Sequence, residues 1–309
     1  MSASNVLFDA PGPRARRASL IGSIVAGVLI LAAVVWVFFT LAGPRQSGGI
    51  TIPGMFDASR WEALAQVRFW EIVWEGVVAT LSAAALAAVG AIALGVVFSL
   101  MRSSEKAWLR IPTAWLIEFL RGMPVLLMML FILLIASTGA FWAVVFALAL
   151  YNGTLIGEAL RAGLASLPRG QREAALSVGM GVFQSKMLVE FPQAFRQMLP
   201  IIVAQLVVLL KDTSLGYIVG YHELIRSTMN QLSAALGNRY LFTLFAVTLV
   251  IYLIINLSLS WFARWLSRRT ASGYGSGRKK SGTPKDDFDP DQALLAAEAT
   301  AAARQSEGR

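Results

Sequence analysis

No cysteine occurs among the 309 residues, which removes disulfides and thiolate metal sites. A single histidine, His222, leaves no His-Glu-x-x-His pair for a catalytic zinc. Gly-x-Ser-x-Gly is missing as well, and so is the phosphate-cradling Gly-x-x-x-x-Gly-Lys-Ser/Thr. No catalytic set stands out, and any ATP must be handled by another polypeptide. Charge is sparse at 15% of residues, and acids are fewer than bases, 18 against 27, for a net charge of +9. Such an excess first suggests nucleic acid, but its placement along the chain argues instead for membrane topology. Nor does an internal repeat appear, the mark of many secondary transporters.

What is present is apolar sequence, 56% of the chain, gathered into runs of about 20 residues, the length that crosses a hydrocarbon core of roughly 30 Å. The expected fold is all-α and polytopic, because a spanning helix satisfies its own backbone. Residues 1–18 are polar and carry Arg14, Arg16 and Arg17. Residues 19–42 form an additional first span of about 36 Å, longer than the apolar core of a cleaved signal peptide. Residues 43–68 read as a Pro/Gly-punctuated loop ending near Trp61, Phe69, Trp70 and Trp74, rings that favour the headgroup level. The second span covers about 75–101. Its Ala79, Ala83, Ala87, Ala91 and Gly95 make a small-residue ridge, facing either its own chain or a second copy. A third follows Pro112 to about 136, kinked at Pro124; a fourth covers about 140–157, a fifth 199–219, a sixth 240–263. Residues 267–309 turn polar and read as a disordered tail.

With the N-terminus on the cytoplasmic side, the inner segments hold three, three, five and nine Lys or Arg, and the outer loops three and two. The positive-inside rule therefore predicts six helices with both termini in the cytoplasm.

Ionised groups within spans are costly and usually face a cavity or each other. Glu118 and Arg121 share a helix face, and Glu158 and Arg161 repeat that spacing. Each pair is either a local salt bridge or an anchor for a charged solute. Lys211 falls near the middle of the fifth span, next to Asp212, and Thr213, Ser214 and Gly216 favour an interruption there. That group is either a structural polar cluster or part of a solute site.

Between the fourth and fifth spans, residues 158–200 are the longest polar, charge-bearing stretch, with five basic residues against three acids. The expectation is a folded cytoplasmic loop: a helix ended by Gly179, then a second ended before Pro192. Small Ala174 and Ala175 admit a neighbouring subunit, and Glu173 can pair with a base on it.

Glu173-Ala174-Ala175, three residues, Gly179, nine residues, then Val189-Glu190-Phe191-Pro192 resembles the EAA signature of importer-type ABC permeases, with Val189 and Phe191 where Ile and Leu are usual. Glu118-Phe119-Leu120-Arg121-Gly122-Met123-Pro124, Glu158-Ala159-Leu160-Arg161-Ala162-Gly163, Pro168-Arg169-Gly170-Gln171-Arg172 and Lys211-Asp212-Thr213-Ser214-Leu215 are similar to the polar amino-acid permeases of that family. Met123 and Met128 depart from its common Thr and Gln. Tyr151-Asn152-Gly153-Thr154 and the opening residues look most like glutamate-importer permeases. The resemblance covers residues 70–266. It implies a transport subunit rather than an enzyme, in the plasma membrane of a bacterium, binding no cofactor itself. ATP and Mg would sit on separate ABC ATPase subunits, seated at Arg169, Gln171, Glu173, Ala174, Ala175, Gly179 and Pro192. A second permease subunit, identical or not, and an extracellular solute-binding protein complete the assembly. The candidate pathway residues are Glu118, Arg121, Pro124, Glu158, Arg161, Lys211, Asp212, Thr213 and Ser214; charge within the membrane makes Arg121 and Lys211 the candidates to meet a carboxylate and Glu158 an ammonium. The alternatives are a permease for another polar amino acid (glutamine, aspartate or a basic one) and, from other classes, a membrane-embedded enzyme, a signalling scaffold or a secondary transporter.

Overall fold

The computed structural model describes residues 12–47 and 50–271. The start of the polar N-terminal segment and the tail beyond residue 271 lie outside the described residues. Two compact units divide between Arg264 and Trp265, and the described part of the second is the end of one helix.

Helix α1 (Pro13–Ala42) opens with Pro13, whose missing N–H is of no consequence in a first turn, and none of its 30 residues is buried. It is held at its far end. Met55 donates its amide to the Leu41 carbonyl at 2.9 Å, and Phe38 stacks on Phe56 with centroids 4.9 Å apart. Gly54 is required there, because a Cβ would lie 1.9 Å from the Ala42 carbonyl oxygen.

The following segment, expected as a loop, contains a ribbon of β1 (Arg45–Ser47) and β2 (Ile50–Ile52), antiparallel with Arg45 opposite Ile52. Two 3-10 turns, Ala58–Arg60 and Glu62–Ala65, come next. Buried Arg60 fastens this end of the molecule. Its Nε and Nη2 donate to the Pro53 carbonyl at 3.2 and 2.9 Å, its Nη1 to the Arg239 carbonyl at 2.5 Å. Its own carbonyl accepts from the Thr243 hydroxyl at 2.6 Å.

The centre of the fold is α2 (Val67–Arg102) against α5 (Ala140–Ala165). Ala83, Ala87 and Ala91 are completely buried, and the small-residue ridge faces the chain's own α5. Where apolar burial cannot drive helices together, close backbone approach does. A Cβ on Gly95 would meet Ile156 Cγ2 at 2.6 Å, and one on Gly153 would meet the Leu94 side chain at 2.9 Å. Buried Asn152 ties α5 to the next long helix: its Oδ1 accepts from Gln205 Nε2 at 2.8 Å.

The third span is not a single kinked helix. It consists of α3 (Ala107–Gly122), which contains Pro112, and α4 (Val125–Ala136), bent from it by 103°. Pro124 disfavours helical backbone at Met123, which is extended (φ −87°, ψ 128°), and Pro124 is itself extended at ψ 131°. Two extended residues in succession make an elbow rather than a bend.

The stretch 158–200 is a loop only in its middle. Residues up to Ala165 finish α5; then come α6 (Arg169–Ser177) and a continuous 36-residue α7 (Val182–Tyr217). Pro192 does not end a helix. The chain widens into a π turn over Lys186–Glu190 just before it, and the wider turn accommodates the proline ring and its missing donor. At the other end α7 tightens to 3-10 over Thr213–Tyr217 instead of breaking, and the reversal comes at Gly220, φ +85°.

Residues 224–236, expected as loop, form a short helix, α8, with its own π turn over Ser227–Leu232. Leu224 and Leu232 pack with Phe69, Ile72 and Leu244. Helix α9 (Leu241–Ala271) follows. Five described helices are each long and apolar enough to cross a membrane, and the α3–α4 pair makes a sixth if taken as one span.

Candidate functional site

At the end of the bundle where α5 gives way to α7, α6 projects as a knob. Gly179, at φ +87°, closes α6: its amide donates to the Leu176 carbonyl at 3.0 Å and the Met180 amide to the Ala175 carbonyl at 3.2 Å. This double bond pattern around a left-handed glycine satisfies carbonyls that a helix end leaves free. Arg169, Gln171, Glu173 and Ala174 are exposed, while Ala175 is buried against the rest of the knob. Gln193 Nε2 donates to Gln171 Oε1 at 3.2 Å, bracing α6 against α7 just beyond Pro192. Val178, at the C-cap of α6, and Phe183 and Leu188, early in α7, stand 77, 70 and 67% exposed, and Glu173 on α6 is exposed as well. Exposed large apolar side chains interspersed with charged ones, on a segment too polar to span, are the chemistry of a protein-docking surface.

Glu158 lies at the root of this knob. Its carboxylate accepts from Arg161 Nε at 2.9 Å and from Arg102 Nε at 3.2 Å, so two guanidiniums face its single negative charge within the chain. The arrangement is an ion pair joining α2 to α5. Glu118 and Arg121 pair at 3.6 Å on the last turn of α3, Glu118 largely and Arg121 partly exposed, one turn ahead of the Pro124 elbow.

Lys211 is elsewhere. It lines a cavity of about 510 Å³ between α7, α8 and α9, together with Ser214, Thr248, Tyr252, Asn256 and Met229. Among the described residues it is the only charged group on that wall, and it makes no ion pair with them. A cation beside a hydroxyl and an amide can receive a carboxylate. Asp212, Thr213 and the Glu118, Arg121, Glu158 and Arg161 groups do not line it; Thr213 is buried and donates to the Leu210 carbonyl at 2.7 Å. The sequence-derived pathway residues thus occupy three places.

Behind the cavity, bonded to its Tyr252 wall, sits Glu223, in a segment whose sequence reads as a loop. Glu223 is completely buried and caps α8, accepting from the Ile225 and Arg226 amides, each at 2.8 Å, and from the Tyr252 hydroxyl at 2.9 Å. Burial pushes its carboxyl above the usual range, against those donors and the nearby Arg226. Thr80 Oγ1 accepts from the Leu224 amide at 3.0 Å. The cap before the Leu224, Thr228, Leu232 periodicity was the signal available for this helix.

The family described as "Binding-protein-dependent transport system inner membrane component" matches residues 91–272. The chain belongs to this family. It is a multi-pass inner-membrane permease, a transport component rather than an enzyme, of the amino-acid ABC type. The permease is 37% identical over 250 residues to the "Glutamate transport system permease protein GluD" of Corynebacterium glutamicum, covering 78% of this chain and 89% of that protein. It is 32% identical to the "Probable glutamine ABC transporter permease protein GlnP" of Bacillus subtilis, covering 64% and 93%. Among solved structures, an amino acid ABC transporter crystallised with histidines superposes with a TM-score of 0.59 at 27% identity, covering 67% of this chain and 97% of that one. Membership places a binding protein, an ATPase and a permease partner in the same system. Among the described residues no cluster of His, Asp or Glu could hold a metal.

Proposed function

We propose that the permease moves a polar amino acid, glutamate foremost, into the cell. Separate ATPase subunits, carrying ATP and Mg, dock on α6 and the first turns of α7. The observation that supports this most directly is the exposure of Val178, Phe183, Leu188 and Glu173 around the Gly179 turn, on a knob that runs on through α7 to Lys211 at the cavity. A push on the knob therefore reaches the cavity through one unbroken helix. Both termini face the cytoplasm, the Arg60-fastened end faces outward to receive the binding protein, and a second permease subunit completes the pathway. The Corynebacterium relative supports glutamate; the Bacillus relative makes glutamine the competitor to test.

Reconstitution of the full chain with its ATPase and binding protein tests the reading. Uptake of labelled glutamate should be ATP-dependent, and unlabelled glutamate should compete better than glutamine. Glu173→Arg should lose ATPase assembly or ATP-driven uptake while inserting normally. Equal assembly and uptake by that variant would remove the docking surface from the account.

A further inference from the structure

One five-residue turn, Arg102 to Lys106, collects contacts from every part of the knob. Lys186, in the π turn of α7, donates its Nζ to the Ser103 carbonyl at 2.5 Å. Ser103 is the C-cap of α2, so that carbonyl is among those left without a helical partner, at the negative end of the helix dipole, where an ammonium is favoured. Arg172, on α6, pairs its Nη2 with Glu105 Oε1 at 2.5 Å. Arg102 pairs with Glu158 at the end of α5. Beside these contacts is a cavity of about 580 Å³ between the turn and the start of α7, walled by Met101, Trp108, Val182 and Phe183 among others. The turn is therefore tied to the knob by polar contacts and has open space on its packing side.

The turn also leads directly into α3, about 24 Å long, which ends at the Gly122–Pro124 elbow. We propose that the α2–α3 turn is a second output of the knob: Lys186 and Glu105 are positioning residues that carry its displacement into α3 and the elbow, in parallel with the path along α7. This rests on the coupling role assigned to the knob under Proposed function. A segment connected through α7 alone can slide or tilt one helix. Tied also to the turn, it moves α3 relative to α2, and with it the Glu118–Arg121 pair at the elbow.

The absence of cysteine makes the test direct. Pairs of single cysteines are introduced at exposed positions, Val89→Cys with Trp115→Cys to follow α3, and Val89→Cys with Ile201→Cys to follow α7. Spin-label distances are recorded in the full complex with and without ATP, using a hydrolysis-deficient ATPase. Both distances should shift in the parent. Lys186→Met should abolish the α3 shift, keep the α7 shift and, assembled with the hydrolysis-competent ATPase, lower uptake per ATP hydrolysed about tenfold, within the range of typical site-to-site coupling. Lys186→Arg should restore both. Glu105→Arg should weaken the α3 shift and Glu105→Arg with Arg172→Glu recover it. That exposed pair contributes little to stability, so the swap keeps the fold intact. An α3 shift unchanged in Lys186→Met and in Glu105→Arg, or absent from a parent whose α7 moves, overturns the relay alone. A parent in which neither distance moves overturns the coupling reading and the relay with it.

Discussion

Lys211 and Glu158 are both ionised groups on long apolar helices, and their surroundings assign them different work. Glu158 meets two guanidiniums and has no charge left to offer a solute. Lys211 faces a cavity with Ser214 and Asn256 and has no acid within 4 Å among the described residues, although the neighbouring Asp212 carboxylate feels its charge. The ammonium is the group expected to meet a substrate carboxylate. A charge-assisted hydrogen bond is worth about 1.5–3 kcal/mol, so Lys211→Ala should raise the apparent KM for labelled glutamate roughly ten- to hundredfold with insertion unchanged. An unaltered KM in vesicles carrying equal amounts of the variant would show that Lys211 is structural. Glu158→Gln, by contrast, is expected to act on the joint between α2 and α5 and to leave KM alone.

At the scale of elements, the α2–α5 seam depends on missing side chains. Gly95 faces Ile156 so closely that Cβ alone must displace it, and anything larger overpacks the seam. Gly95→Leu should cost about 1–3 kcal/mol, seen as a lower inactivation temperature in detergent. Gly22→Leu on α1, where nothing lies within 4 Å, should not change it. The spacing of Ala83, Ala87, Ala91 and Gly95 made this ridge readable from the sequence, though not which helix it faces. The spans themselves were legible because apolar length is a local property, and so was the stop at Gly179, where a glycine ends a polar helix. The prolines were misread. Whether Pro192 breaks a helix depends on whether the preceding turn can widen, and whether Pro124 kinks or ends one depends on the conformation taken by Met123. Pairings such as Asn152 with Gln205, Arg60 with the Arg239 carbonyl, and Glu223 with Tyr252 join residues far apart in the chain, and no local pattern announces them. The cavity was therefore half legible: its lysine stood out as a charge among apolar residues, while Tyr252 and Asn256 looked like ordinary parts of the last span.

For the whole molecule, the matched family region begins at residue 91, and no residue of α1 is buried. Its attachment is the Phe38–Phe56 stack and the Met55 to Leu41 hydrogen bond, both near its last turn. A chain lacking residues 1–42 should therefore keep its core fold and its ability to assemble with the ATPase. The basic residues at 102–110 and 161–196 should keep its orientation. Co-purification of the shortened chain with the ATPase, and labelling of a cysteine placed at Phe183 from the cytoplasmic side only, would check both points. Loss of the assembled complex would instead give α1 a part in holding the subunits together.

The widened turn at Lys186–Glu190 has an effect on phase. Each residue of an α-helix advances the azimuth by about 100°, so one additional residue in a turn rotates everything before it relative to everything after. The azimuth at which Phe183 is presented and that at which Lys211 is presented are consequently two separate settings on one rod, divided by a local change of pitch. A single-residue deletion there would leave the rod helical and rotate one setting against the other.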